Sequence, residues 1–408
     1  MNYFNRLIGF ISFLLLFQLQ AVSADEYDEI RVWMETSGFE NIQLNNSGKT
    51  LIIAYENRIF RHEAEAIAYI LKEMPLYQID EIILIPLYLK IPMLQMTVKK
   101  AKLEQFRKGE ITTPDFLAHV IFTMNIKDDI FKDSLSSALH SSGFKVDVLI
   151  EPKISMQLGN YDRPIQLLAE LAPNLQVQLA KGLILNSQFL IPVYNNLKQM
   201  EGAKFRTGII NLSQNLRLPD NLFLTASLGT FSYDRLGIDF KTKKYFLNGS
   251  LGIYTQMGYN TWIKTKDTFE DRYFNQDNYF MGRLGAEYRF TAYDLLISAS
   301  YGTFLYQDKG WRFDVLRQFN EVQIGFSGIL TNDTYNAGFY LSIPIFPKRY
   351  AKLNKFRVRP SPNFNWGYNF RGQTYAGKNY STGSNIISKS RDFNPFFIKN
   401  QLKILLAH

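Results

Sequence analysis

The chain has no cysteine among its 408 residues. That excludes a disulfide framework and thiolate metal sites, and it suits a protein that crosses an oxidising compartment, where a stray thiol is a hazard. Histidine is nearly as scarce: His62, His119, His140 and His408 are the four. None falls in a segment with strand periodicity, so a His-assisted serine site in a barrel wall has no base. His62 stands among Arg61, Glu63 and Glu65 without a second histidine at helical spacing, which reads as a surface residue rather than a metal ligand. There is no Gly-rich phosphate loop, zinc motif or nucleophile elbow. Gly325-Phe-Ser-Gly lies in strand periodicity with no helix behind it. No catalytic, cofactor-binding or metal-ligating set emerges. After the N-terminus, no stretch approaches the ~18 apolar residues of a membrane-spanning helix.

What the chain does have begins with a targeting segment over residues 1–24. Arg6 supplies a short basic start, Leu7 to Leu19 the apolar run, and Ala21-Val22-Ser23-Ala24 a small-residue cleavage site before Asp25. Any membrane insertion of the mature chain then falls to strands. The composition agrees: aromatic content is 15%, with 33 Phe and 24 Tyr, and mean hydropathy is −0.16. Lipid-facing residues diluted by polar lumen residues, with aromatic girdles, give that balance.

Residues 25–145 read as an α+β region. Helices are expected over Glu29 to Thr36, ended by Gly38, over His62 to Glu73, Lys100 to Lys108 and Asp115 to Met124. Strands are expected at Ile42–Leu44, Thr50–Tyr55, Ile82–Leu89 and Leu94–Val98. Ile126 to Phe144 leads into residues 146–408, where the period becomes two. Phe280, Leu284, Ala286, Tyr288 and Phe290 share one face, and Arg283, Glu287 and Arg289 the other. Leu222–Leu228, Leu247–Ile253, Leu295–Tyr301, Val322–Phe326 and Ala337–Ile343 alternate in the same way. Roughly ten-residue alternating segments are the pattern of an outer-membrane barrel strand. The tight connections Ala180–Gly182, Leu218–Asn221 and Ala292–Asp294 belong on the periplasmic side. The polar stretches Tyr233–Lys244 and Thr265–Asn278 are expected as outer loops. The spacing gives about 12 strands, an even number being usual in bacterial barrels, with Ile398, Leu402, Ile404 and Leu406 on the closing strand.

The net charge is +9. In an exported chain this favours lipid phosphate, lipopolysaccharide or an acidic polysaccharide over nucleic acid, although simple solubility fits as well. Arg283, Glu287, Arg289 and Glu321 fall on polar strand faces, where they either line an aqueous lumen or pair and fill it. Lys348, Arg349, Lys352, Lys355, Arg357 and Arg359 form the densest basic cluster. A charge run is usually a solvated loop; the sharper reading is contact with lipopolysaccharide phosphate or a polyanion.

Several stretches resemble a known family. Tyr55-Glu-Asn-Arg-Ile-Phe-Arg-His-Glu-Ala-Glu-Ala-Ile-Ala-Tyr-Ile, Asn160-Tyr-Asp-Arg-Pro-Ile, Ala337-Gly-Phe-Tyr-Leu-Ser-Ile-Pro-Ile-Phe and the region Tyr375–Gly383 are similar to the YjbH/GfcD-like exopolysaccharide-associated outer-membrane proteins. The resemblance implies a transmembrane β-barrel with a periplasmic α+β domain and a role beside secreted or capsular polysaccharide. Longer relatives look like two barrel units; this chain holds one.

The expectation is therefore an N-terminal periplasmic α+β domain followed by an antiparallel transmembrane β-barrel in the cell outer membrane. It would act without cofactor in exopolysaccharide or capsule assembly or export. Its contacts would be outer-membrane lipid, lipopolysaccharide, polysaccharide and periplasmic export proteins. A general porin is the alternative, and a lipid- or glycan-modifying barrel enzyme a third reading, since Asp/Glu glycan chemistry needs no histidine. The large N-terminal region separates the first from the second, because a passive pore has no use for it.

Overall fold

The computed structural model describes residues 28–77, 79–126, 141–159, 161, 164–197, 204–265, 272–332, 334–352, 355–370 and 376–407. The targeting segment, His140, His408, most of Ile126–Phe144, and parts of Thr265–Asn278 and Tyr375–Gly383 lie outside the described residues. No described helix is long and apolar enough to cross a membrane.

The N-terminal unit is a small mixed sheet with helices packed on one face. Its strands are β1 (Glu40–Ser47), β2 (Thr50–Glu56), β3 (Glu81–Tyr88), β4 (Ile91–Pro92), β5 (Gln95–Lys99) and β6 (Ile121–Thr123), in the order β1-β2-β3-β5-β6. Helix α1 (28–37) ends at Gly38, whose φ of +97° and close approach to Ile59 leave no room for a Cβ. Helix α2 (Glu63–Glu73) connects the parallel pair β2 and β3, as a crossover must. Its first turn is held by the Glu65 carboxylate, which accepts from the His62 backbone N–H at 3.1 Å. Ile67, Ile70 and Leu71 recur at helical spacing and are buried against Leu51, Ile53, Leu84 and Met96 of the sheet. Helices α3 (Lys100–Arg107) and α4 (Thr113–Ala118) follow. Asp115–Met124 is thus not one helix. It breaks at His119, and Ile121–Thr123 pairs with β5 as an edge strand.

From Val146 the chain forms a fourteen-stranded sheet: β7 (Val146–Leu158), β8 (Ile165–Ala180), β9 (Leu183–Asn195), β10 (Arg206–Leu218), β11 (Leu222–Phe231), β12 (Arg235–Phe246), β13 (Leu251–Thr265), β14 (Arg272–Phe290), β15 (Leu295–Thr303), β16 (Lys309–Phe319), β17 (Val322–Thr331), β18 (Tyr335–Pro344), β19 (Phe356–Pro360) and β20 (Asn363–Asn369). Strands β7 to β18 pair with their sequence neighbours, antiparallel throughout. The two outermost strands are consecutive in the chain: β19 pairs with β7 and β20 with β18. Between them, Ser361 donates its N–H to Ile150 of β7, and the Pro362 carbonyl accepts from Ile345 beyond β18, both at 2.9 Å. One stretch of chain therefore receives both ends of the sheet. The β19–β7 pairing is parallel, which corrects the expectation of an antiparallel sheet throughout. Twelve antiparallel strands followed by one split strand bring like-directed chains together at the seam.

The sheet is inverted relative to a soluble sandwich. Leu228, Leu284 and Phe326 are 62%, 58% and 61% exposed, whereas Asn215, Ser227, Asp239, Glu287 and Ser300 are buried. Tyr233–Lys244 is corrected by the same rule. It is not an outer loop but mostly β12, with Leu236, Ile238 and Phe240 outside and Asp239, Lys241 and Lys243 inside. Charged residues in the inward-facing row give this strand the composition of a loop. Leu247–Gly249 forms a short 3₁₀ turn, so the strand there begins only at Leu251.

The closing strand at the C-terminus is also corrected. Pro395–Leu405 is helix α6, capped by Asn394, whose side chain accepts from the N–H groups of Phe396 and Phe397. Ile398, Leu402 and Leu406 recur every four residues and are buried in the N-terminal core. Before α6, residues 376–394, including the short helix α5 (Ile386–Lys389), run along the inside of the sheet. Leu305 donates its N–H to the Lys378 carbonyl at 2.9 Å, Asn211 Nδ2 donates to Thr382 at 2.7 Å, and Asn215 Oδ1 accepts from the Ile386 N–H at 2.9 Å. At the other end, Asn394 Nδ2 donates to the Gly249 carbonyl at 2.7 Å. The chain leaves its N-terminal unit, builds the sheet, and threads back through it.

Candidate functional site

The interior of the large sheet and its junction with the N-terminal unit carry most of the buried polar chemistry. The tight connections face that unit or α6. Gly182 donates its N–H to Leu89 at 2.9 Å, Arg217 to Pro92 at 2.7 Å, Asn248 Nδ2 to Phe122 at 2.9 Å, Asn400 Nδ2 to Thr291 at 3.3 Å, and Gln401 Nε2 to Asn320 at 2.8 Å. The Arg61 guanidinium reaches the Ile345 carbonyl at 3.2 Å.

All four charges expected on the inner face have partners, ionic for Glu287, Arg289 and Glu321 and a neutral amide for Arg283. Arg283 donates to Gln256 Oε1 at 3.1 Å. Glu287 is shared by Lys243 and by Arg391 of the threaded segment, the latter at 2.7 Å. Arg289 meets Asp294 at 2.6 Å, and its guanidinium lies over the Phe397 ring of α6, 5.7 Å from the centroid. Glu321 sits at the rim, taking Arg61 at 2.7 Å and Lys348 at 3.2 Å. Neighbouring inward positions contact the threaded segment as well. Tyr380 stacks on Phe231 with centroids 4.9 Å apart and donates to Asp239 at 2.8 Å, Lys241 donates to Thr382 Oγ1 at 2.8 Å, and the Tyr245 and Ser390 hydroxyls are 2.9 Å apart. A buried charge needs a partner, and here the partner is often the returning C-terminal segment.

The basic cluster does not form one exposed polyanion surface. Arg357 is buried and bridges Glu40 of β1, at 2.9 Å, to Asp147 of β7. Arg58 joins the same network through Glu56 at 2.9 Å and Asp147 at 3.2 Å, and Lys145 through Glu40 at 2.6 Å. Arg349 lies over the rings of Phe60 and Tyr69, at 5.3 and 4.9 Å. Lys352 donates to the Glu35 carbonyl, and Arg359 lies 5.2 Å from the Tyr350 centroid. Lys348 is held by Glu321, while the Lys355 side chain is exposed. Most of the cluster fastens the N-terminal unit to the sheet, because the segment 345–360 passes between them. A charge run carries no mark that tells a solvated loop from a docking seam.

Two acidic and basic groups at the start of α2 have shifted equilibria. Glu63 is fully enclosed, and burial pushes its carboxyl up to about 7, although the Tyr55 hydroxyl donates to it at 2.8 Å. Burial lowers His62 to about 4, against the expectation of a solvated residue. Among the described residues, no group of three His, Cys, Asp or Glu is placed to hold a metal ion.

A polar cleft lies where α2, α6, the threaded segment and the rim of the large sheet meet. His62, Glu65, Arg289, Gln318, Glu321, Gln323, Ser342, Asn363, Arg391, Asp392, Phe397 and Gln401 are among its lining residues. The alternation identified the inward charges. It gave no sign of the cleft, since α2, α6 and the sheet contribute single residues that are far apart in sequence.

Two solved structures share a low overall likeness with the chain. One is OmpTdeltaL8, a loop L8 deletion mutant of OmpT, an outer membrane protein of Vibrio cholerae (TM-score 0.28, 9% identity, 48% of this chain and 86% of that one). The other is in-vitro folded OmpT of Vibrio cholerae (TM-score 0.26, 10% identity, 48% and 80%). Scores at this level do not bear on the fold. No curated protein matches. The family model for YjbH, exopolysaccharide biosynthesis protein YbjH, matches residues 19–232, just over half of the chain. The chain belongs to the YjbH family of exopolysaccharide biosynthesis proteins.

Proposed function

We propose that this chain is a closed outer-membrane β-barrel that assists assembly or export of an exopolysaccharide without itself catalysing a reaction, its N-terminal unit lying in the periplasm. The apolar outer face and polar inner face support the membrane reading, since lipid tails solvate one and water or protein the other. The orientation follows from the tight turns, which in such barrels are periplasmic, and which here abut the N-terminal unit. Family membership supplies the polysaccharide.

The observation that carries the reading is the threaded segment 376–394. It occupies the interior and is tied through α6 to the N-terminal core. A general porin keeps its lumen water-filled, so this arrangement favours a protein whose interior answers to its periplasmic side. Export proteins docking there and lipopolysaccharide around the barrel are the partners this reading implies. Deletion of the chain is expected to reduce surface and released polysaccharide while cytoplasmic precursor synthesis continues. Unchanged polysaccharide in the deletion strain would remove the export role.

A further inference from the structure

We infer that the cleft between α2, α6 and the rim of the large sheet binds one uncharged sugar residue of the polysaccharide. The inference rests on the export reading and names the ligand class of that site.

The lining decides the class. Its ionic groups are already matched: Arg289 by Asp294, Arg391 by Glu287, Asp392 by Lys389 at 3.1 Å, and Glu65 and Glu321 by Arg61. Among the described lining residues the carboxylates Glu65, Glu321 and Asp392 outnumber the guanidinium groups of Arg289 and Arg391, a balance that does not favour a polyanion. The rest of the polar lining is amide and hydroxyl, Gln318, Gln323, Ser342, Asn363 and Gln401, beside the Phe397 ring, with Gln318 and Gln401 each using one amide N–H on the Asn320 carbonyl. Planar amides and an aromatic face are what a ring of hydroxyls with an apolar face requires. Two buried atoms of the lining lack a hydrogen-bond partner, Arg289 Nε, a donor, and Asn363 Oδ1, an acceptor. Arg289 as a whole is only 7% exposed. A buried unmet donor and acceptor in one cleft mark a place for a group that both accepts and donates, as a sugar hydroxyl does. The space open to the centres of water molecules is about 80 Å³, room for on the order of six waters. That suits a single pyranose ring, not a polymer strand. The rim is reachable past Glu321 and Lys348, whose side chains are 25% and 55% exposed.

The test uses the full chain in detergent and saturation-transfer NMR. The probes are neutral trisaccharides of glucose, galactose and mannose at millimolar concentration, with trigalacturonate as the charged counterpart. At least one neutral probe is expected to bind, and Gln323→Leu and Asn363→Leu are each expected to weaken it tenfold or more. Asn363→Leu removes an oxygen with no internal partner, so its fold should persist, checked by heat-modifiable gel mobility and unchanged exchange protection of α6. Failure of every neutral probe, unaltered binding in both variants, or preference for trigalacturonate would overturn the assignment. These outcomes are separate from the export role, which falls only if the deletion strain keeps its polysaccharide. A sugar-blind cleft in a strain that needs the chain would sink the cleft alone.

Discussion

At the scale of single residues, inside and outside are exchanged between the two parts of the molecule. Leu284 is 58% exposed while Glu287 on the opposite face of the same strand is buried, whereas in the N-terminal unit Leu103 and Phe116 are fully buried. Leu284→Arg should therefore cost about 2–4 kcal/mol in a bilayer, and its yield of heat-modifiable barrel should fall below that of Arg283→Leu, which loses one hydrogen bond to Gln256. The opposite ranking would mean that the register of β14 is off by one residue. Glu63 supplies a pH prediction. Its folded-state value of about 7 lies above the ordinary value of 4.5. The stability it contributes is complete below 4.5 and is lost as pH rises through 7. Glu63→Gln keeps an acceptor for Tyr55 and carries no charge, so it should remove that loss, leaving α2 about 3 kcal/mol better protected at pH 8 and nearly unchanged at pH 4. Hydrogen exchange of α2 amides in variant and wild type, compared at each pH, measures it. His62, lowered to about 4 from 6.5, acts in the opposite sense: its contribution is present above 6.5 and is lost as pH falls through 4.

At the scale of elements, the C-terminal segment is a helix packed in the N-terminal core, and β19 and β20, not a terminal strand, take up the two ends of the sheet. Leu402 is fully buried among α2 and α4, so Leu402→Ala should destabilise the docked helix by about 2–5 kcal/mol. If α6 anchors the threaded segment, that variant should raise single-channel conductance in planar bilayers above the wild-type level. Equal conductance would separate the helix from the state of the lumen. What the sequence disclosed follows from periodicity. Strands with one lipid-type and one polar face are legible at Phe280–Phe290, Val322–Phe326 and Ala337–Ile343, and so are α2 and the separate strands β2 and β3, though not their parallel pairing. Period two and period four coincide in Ile398, Leu402 and Leu406, and only Asn394-Pro395, an N-cap followed by a helix-starting proline, tells them apart. In β12 the inner row of charges outweighed three outward apolar residues. The role of Arg357 depends on Glu40 and Asp147, which are far from it in sequence and near only after folding.

At the scale of the whole molecule, the chain's own end fills the inside of the large sheet, and among the junctions with the N-terminal unit two stand out, one at β7 and one through α6. The first junction rests on Arg357, Glu40 and Asp147. Arg357→Met should loosen it, exposing the linker 141–146 to protease in the periplasm, because removing one partner strands the other buried charges. Lys355→Ala should do nothing measurable by the same assay. The second junction places residues 376–394 inside the sheet, and the absence of cysteine makes that placement easy to read. With Asn211→Cys and Thr382→Cys in one chain, a short bismaleimide applied to isolated outer membranes is the most direct test. The protein is expected to fractionate with the outer membrane, and the doubly substituted chain to cross-link nearly completely, with altered gel mobility, while each single substitution does not. Recovery in the soluble periplasm, or a double variant in the outer membrane whose two thiols never join, would contradict this arrangement.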